Sequence, residues 1–286
     1  MFRPARTHRV RYITVLPSLI TLLNGVFGFT AIILASKAGT PEAGRMSCFA
    51  VAGYMILLAM LADMLDGRLA RMSQSTSSFG GQLDSLCDMI SFGVAPAFLM
   101  LRLVESELQL HEIFCGGLLH RFIWLAALVY LSCAAIRLAR FNVENDENEM
   151  AHMSFVGLPS PGAAGMVISL IIFHQEEVPG FDYLVYALPL ATLAVAVLMV
   201  SRVRYPHIVN VYLRGKQPFG YLIRVLLFLG LVLWNMQIAL VLIFGYFVVG
   251  SFAKWLYGKV VTKPGKLALP GQTPAVNVLP AADEGR

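Results

Sequence analysis

Long apolar runs alternate with short polar breaks along the chain, and most runs are longer than the buried face of a globular helix requires. Runs of membrane-spanning length fall at residues 16–36, 47–69, 83–103, 118–140, 157–175, 181–201, 218–234 and 237–257. They predict an all-α polytopic membrane protein with about eight transmembrane helices. The tightest break is Trp234-Asn235-Met236-Gln237; without it the last two runs would fuse into one helix too long for a bilayer. The first run follows a basic arm and lacks a small-residue cleavage site, so it predicts a retained helix rather than a signal peptide.

Composition agrees. Hydrophobic residues make up 57% of the 286 positions and charged residues only 14%, which excludes an ordinary soluble domain. The charge is also unevenly placed. Lys37, Arg45, Arg102 and Arg121 stand on one side of the predicted spans, and the remaining 18 of the 22 basic residues stand on the other. The positive-inside rule therefore puts both termini in the cytoplasm. The net charge of +5 is a topology charge and calls for no nucleic acid. Residues 1–15 alternate basic with apolar positions and predict an interfacial arm on anionic headgroups, while residues 261–286, rich in Pro, Gly and Ala, predict a disordered cytoplasmic tail. Cys48, Cys87, Cys115 and Cys133 are scattered through apolar segments without a CxxC pair, so they read as small buried side chains.

One stretch breaks the avoidance of charge. DMLDGRLARMSQSTSSFGGQLDSLCD, from Asp63 to Asp88, places four aspartates and two arginines at the predicted cytoplasmic ends of the second and third spans. On helices, Asp63 and Asp66 share one face, as do Asp84 and Asp88, so four carboxylates can converge between neighbouring helices. Such a convergence at membrane depth calls for a cation. Carboxylate ligands in a stretch with no His and no paired Cys suit a hard divalent ion, Mg²⁺ or Mn²⁺, one or two in number, and such ions keep positions open for phosphate oxygens. Gly67, Gly80 and Gly81 let a bulky nucleotide approach the backbone, and Arg71 is placed to hold a phosphate. Spacing alone leaves two other readings open, an ion or proton path through the bilayer and a set of charges that neutralise one another.

The pattern Asp63-x-x-Asp66-Gly67-x-x-Ala70-Arg71, eight residues, Gly80-x-x-x-Asp84-x-x-x-Asp88 resembles the signature of the CDP-alcohol phosphotransferase family at every fixed position. LPSLITLLNGVFGF, RLARFNV, SFVGLPSPGAAG and LMVSRVRYP further resemble the integral-membrane phosphatidylserine synthase branch of that family. The resemblance implies a six-helix catalytic core, here residues 16–206, followed by two additional spans in 207–260. It also implies a homodimer in a prokaryotic cytoplasmic membrane. The implied substrates are CDP-diacylglycerol and L-serine, with release of CMP; glycerol phosphate, inositol phosphate and choline are the other acceptors the family offers.

The same resemblance assigns roles. Asp63, Asp66 and Asp84 match metal ligands, and Asp88 matches the last aspartate, both a ligand and a base on the acceptor hydroxyl. Gly67, Ala70 and Gly80 match positions against the cytidine, and Arg71 one near the pyrophosphate. Thr21 and Asn24, polar on one face of an apolar helix, are placed to reach the nucleotide phosphates. Serine carries a carboxylate, and Arg137, Arg140 and Asn142, with Arg202 and Arg204, are the groups placed to bind it. In SFVGLPSPGAAG, two prolines and two further glycines follow Gly157 and point to an irregular cavity-lining loop, or else to a plain helix start with Ser160 as cap and Pro161 first in the helix.

Overall fold

The computed structural model describes residues 9–38, 47–73, 78–109, 117–147, 157–201, 230, 232 and 234–261. These are helical almost throughout. In chain order they form α1 (Arg9–Lys37), α2 (Cys48–Ser73), α3 (Ser78–Asp88), a π-helical turn (Met89–Val94), α4 (Ala95–Glu107), α5 (Leu118–Glu147), α6 (Ser160–Glu176), α7 (Asp182–Val200) and α8 (Met236–Val261). α3, the π-turn and α4 run on without a break.

Among the described residues, five helices are long and apolar enough to cross a membrane: Ser18–Lys37, Cys48–Leu69, Phe79–Glu107, Leu118–Val143 and Asp182–Val200. The chain is thus a multi-pass membrane protein. α6 has 17 residues, or about 26 Å of helix, and is packed against α2, α4, α7 and α8. The run expected at 218–234 lies largely outside the described residues, as do the first eight residues of the arm and the tail from 262 onwards. The break expected near Trp234 is present: Asn235 Oδ1 accepts the Ile238 N–H at 2.9 Å and caps the start of α8.

Lipid gives helices no hydrophobic reason to associate, so close packing between small residues carries the bundle. α1 presents Ala31 and Ala35, with Ala38 directly after it, all buried, while α2 buries Ala52, Ala59 and Ala62, and these two helices lie against each other. The outer side of α1 carries Leu19, Leu22, Val26, Phe29 and Ile33, exposed at helical spacing as a lipid-facing stripe. Glycines make the remaining notches. A Cβ on Gly53 would lie 2.7 Å from Ile172 of α6, and on Gly162 it would lie 2.7 Å from the Phe247 ring of α8. Gly165 receives Phe244 in the same way, so two glycines of SFVGLPSPGAAG serve as sockets for α8 and do not line a cavity.

A polar staple closes one end of the bundle. Glu176 accepts hydrogen bonds from the Tyr54 hydroxyl at 2.7 Å and from Gln237, while Gln175 accepts from Ser47 and donates to Glu107 at 2.8 Å. It joins α2, α4, α6 and α8, about 28 Å along the third helix from Asp88. The acidic stretch lies at the other end.

Candidate active site

At that other end α2 and α3 bring their aspartates together. Asp63, Asp66 and Asp84 each offer a carboxylate oxygen, and these atoms all lie within 4.8 Å of one another. Asp66 is buried and Asp63 and Asp84 are half-buried. Among the described residues, this is where three or more metal-ligating side chains converge. Asp66 Oδ2 and Asp84 Oδ1 are enclosed by protein yet have no hydrogen-bond donor. Enclosed anionic oxygens without donors, and three carboxylates within a few ångströms with no His or Cys in the converging group, fit a hard divalent cation.

Asp88 stands apart from this trio. It lies one helical turn beyond Asp84 on α3, close enough to Asp63 and Asp84 to feel their charge, and its Oδ1 accepts the Asn24 amide at 2.9 Å. Both residues are buried. Thr21, one turn before Asn24 on α1, hydrogen-bonds to Asp66. α1 therefore supplies donors to one aspartate on each of the two acidic helices.

α1 reaches so close because of its glycines. Gly25 faces Cys87, whose Sγ would lie 3.0 Å from an added Cβ, and Gly28 faces Ser91, where the nearest backbone atom would lie at 2.7 Å. Any larger side chain at residue 28 would push α1 away and withdraw Asn24 from Asp88.

Gly67 of the signature and Gly81, next to its Gly80, behave in the opposite way. Among the described residues, no atom beyond the neighbouring helix backbone lies within 4 Å of where a Cβ on Gly67 or Gly81 would be. A helix-interior glycine costs about 1 kcal/mol relative to alanine, and here no packing demand offsets it. Open space beside bare backbone next to a carboxylate cluster is what a ligand's approach requires. Gly80, partly buried, lies on the same α3 turn. Ala70 and Arg71 are in the last turns of α2, with side chains outside the described set.

The expected acceptor residues lie along the end of α5. Arg137 is partly buried inside the bundle, where its guanidinium donates to Ser160 Oγ at 3.1 Å and lies within electrostatic reach of Asp88. Its Nε is buried without a partner. Arg140 is exposed, so the two arginines of RLARF occupy different environments. Asn142 Oδ1 accepts the Ser85 hydroxyl at 3.0 Å and pins α5 to α3 between Asp84 and Asp88. Arg202 and Arg204 lie outside the described residues.

The Ser160 partnership was not legible in sequence, where that residue reads as a helix cap. Pro159 takes the cap position in extended backbone, Ser160 becomes the first helical residue, and its hydroxyl turns to Arg137. The loop before it is locked to α7. Leu158 N–H donates to Leu198 O at 3.2 Å, and Gly157 has φ +96° with its α-carbon against the Met199 carbonyl, a conformation and an approach that favour glycine.

The site as built has an acidic trio fit for a divalent cation, open glycine backbone beside it, a fourth carboxylate held by an amide, and a partly buried arginine whose enclosed Nε has no partner. Comparisons with known proteins point the same way. The sequence model of the CDP-alcohol phosphatidyltransferase family matches residues 14–201. A CDP-diacylglycerol–serine O-phosphatidyltransferase of Helicobacter pylori is 30% identical over 243 residues, covering 84% of this chain and 91% of that one. A protein of the same description from Methanocaldococcus jannaschii is 30% identical over 201 residues, 70% of this chain and 78% of the other. An archaetidylserine synthase of Methanothermobacter thermautotrophicus is 32% identical over 197 residues, 68% and 70% of the respective chains.

Proposed function

The chain belongs to the CDP-alcohol phosphatidyltransferase family, and on that premise we propose that it transfers the phosphatidyl group of CDP-diacylglycerol to the hydroxyl of L-serine, releasing CMP. The observation that carries the reading is the convergence of Asp63, Asp66 and Asp84 within 4.8 Å beside an amide-anchored Asp88. The relatives named for serine transfer support the choice of acceptor.

In this mechanism the cytidine part lies along Gly67, Ala70 and Gly80, with open space beside the Gly67 backbone to receive it. Arg71 is assigned to the pyrophosphate as a fixed positive charge, on the family resemblance. A divalent cation held by Asp63, Asp66 and Asp84, with Asp88 at its margin, would neutralise the pyrophosphate and stabilise CMP as a leaving group; Mg²⁺ or Mn²⁺ suits these ligands, and we assign two ions. Asp88, aimed by Asn24, receives the proton of the serine hydroxyl as that oxygen bonds to the lipid-bearing phosphorus and the bond from that phosphorus to the bridging oxygen of CMP breaks. Arg137 offers its unpartnered Nε–H to the serine carboxylate, with Arg140 and Asn142 at the mouth. Thr21 steadies Asp66.

The wider assignment comprises eight spans, both termini and the site facing the cytoplasm, a homodimer in the cytoplasmic membrane, and a catalytic core over 16–206 with two further spans behind it. An ion or proton path would instead spread ionisable groups through the bilayer depth. The test is CMP release by purified protein in mixed micelles containing CDP-diacylglycerol and Mn²⁺, with serine, glycerol 3-phosphate, inositol phosphate or choline offered separately. Serine-dependent, chelator-sensitive release is expected. Release with another acceptor would replace the substrate, and none with any acceptor from folded protein would leave the ion path in its place.

A further inference from the structure

The third transmembrane helix changes its winding directly after Asp88. Residues Met89–Val94 form a π-helical turn, and the Ala95 N–H bonds to the Ile90 carbonyl, five residues back. Such wide turns are rare and gather at functional sites. This one has a local cause. Pro96 has no N–H, and in a regular α-helix its ring would press on the carbonyl four residues earlier, that of Phe92. The Phe92 carbonyl is thus deprived of its α-helical partner inside a buried segment, where an unmade hydrogen bond is costly.

Tyr130 of α5 supplies the missing donor. Its side chain is 0% exposed, and its hydroxyl bonds to Phe92 O at 3.0 Å. The residue next to Phe92 faces the other way: Ser91 Oγ donates to the Asn24 carbonyl at 2.9 Å, at the point where Gly28 lets α1 approach. Asn24 in turn holds Asp88. A buried succession therefore runs from Tyr130 through the π-turn to Ser91, Asn24 and the Asp88 carboxylate.

We infer that Tyr130 is a positioning residue for the transfer: by satisfying the carbonyl that Pro96 strands, it holds the π-turn in the register that sets Ser91 against Asn24 and so fixes where Asp88 points. Tyr130 has no contact with the carboxylate trio and acts through other groups. The inference rests on the proposed role of Asp88.

Its test compares Tyr130→Phe, Ser91→Ala and the double variant in the full-length protein, with thermal unfolding followed in parallel. Tyr130→Phe keeps the ring and removes only the hydroxyl. The expected result is a kcat about tenfold lower with KM for both substrates within about twofold of wild type, the size typical of an outer partner of a site residue. Ser91→Ala shows the same signature, and because both act along one route the double variant is no worse than the more severe single. A Tyr130→Phe protein with kcat within twofold of wild type overturns the inference, as does a loss confined to KM or a double variant in which the two losses multiply. If Tyr130→Phe does not fold, Ser91→Ala decides alone: an about tenfold fall in kcat supports the route, and unchanged turnover refutes it. A wild-type protein inert with every acceptor defeats the functional reading and this inference together, whereas an active wild type beside unaffected variants defeats this inference only.

Discussion

Asn24 and Asp88 are 64 residues apart in sequence, yet the Asn24 side-chain amide donates to Asp88 Oδ1 at 2.9 Å between two buried side chains. The contact ties the first helix to the last aspartate of the signature and fixes one oxygen of that carboxylate. Asn24→Ala is expected to lower kcat about 10- to 100-fold while the protein still folds, measured by CMP release alongside thermal unfolding. A rise in KM for the CDP-lipid with kcat unchanged would place Asn24 on the nucleotide phosphates instead.

Asp84→Asn removes one charge from three carboxylates that crowd within 4.8 Å. Without metal, fewer like charges repel, so the variant should unfold at a temperature equal to or above that of wild type. It should also lose the stabilisation that added Mn²⁺ gives the wild-type protein, together with transfer. Near-normal turnover in folded Asp84→Asn protein would remove Asp84 from the essential set.

Gly67 sits in a helix with open space beside it among the described residues. Gly67→Ala should therefore leave the fold intact and raise its stability by up to about 1 kcal/mol, while raising KM for the CDP-lipid because the methyl group fills the nucleotide's place. A destabilised variant with unchanged KM would show that the glycine serves the helix and not the ligand.

Much of this was legible in the chain itself. The spacing of Asp63, Asp66 and Asp84 on two helices announced their convergence, and the apolar runs announced the spans, because both depend on periodicity within one element. The partner of Asp88 was not legible. Thr21 and Asn24 read as polar residues on a helix face, but which group a face meets depends on how two helices cross, and here that is set by Gly25 against Cys87 and Gly28 against Ser91. Gly162 and Gly165 read as loop glycines and prove to be sockets for Phe247 and Phe244, a pairing across more than seventy residues. Ser160 reads as a cap by residue type, but Pro159 occupies that position and frees its hydroxyl for Arg137. The π-turn had a visible signal in Pro96, although the donor that repairs it, Tyr130, lies on another helix.

Arg137 and Arg140 share a helix but differ in burial, and the difference makes a prediction. Arg137→Lys keeps the charge and loses both the planar fork and the Nε–H that has no protein partner. It should raise KM for serine about tenfold or more, with KM for the CDP-lipid little changed, while Arg140→Ala at the exposed position should raise it less. The reverse order of effects would move the carboxylate subsite to the surface end of α5.

The most direct test of the central claim is product identity. Purified protein in mixed micelles, given CDP-diacylglycerol, isotopically labelled L-serine and Mn²⁺, should yield labelled phosphatidylserine and CMP in equal amounts, with both abolished by a chelator. CMP without labelled phosphatidylserine, or phosphatidylserine formed equally well in the chelator, would contradict the account.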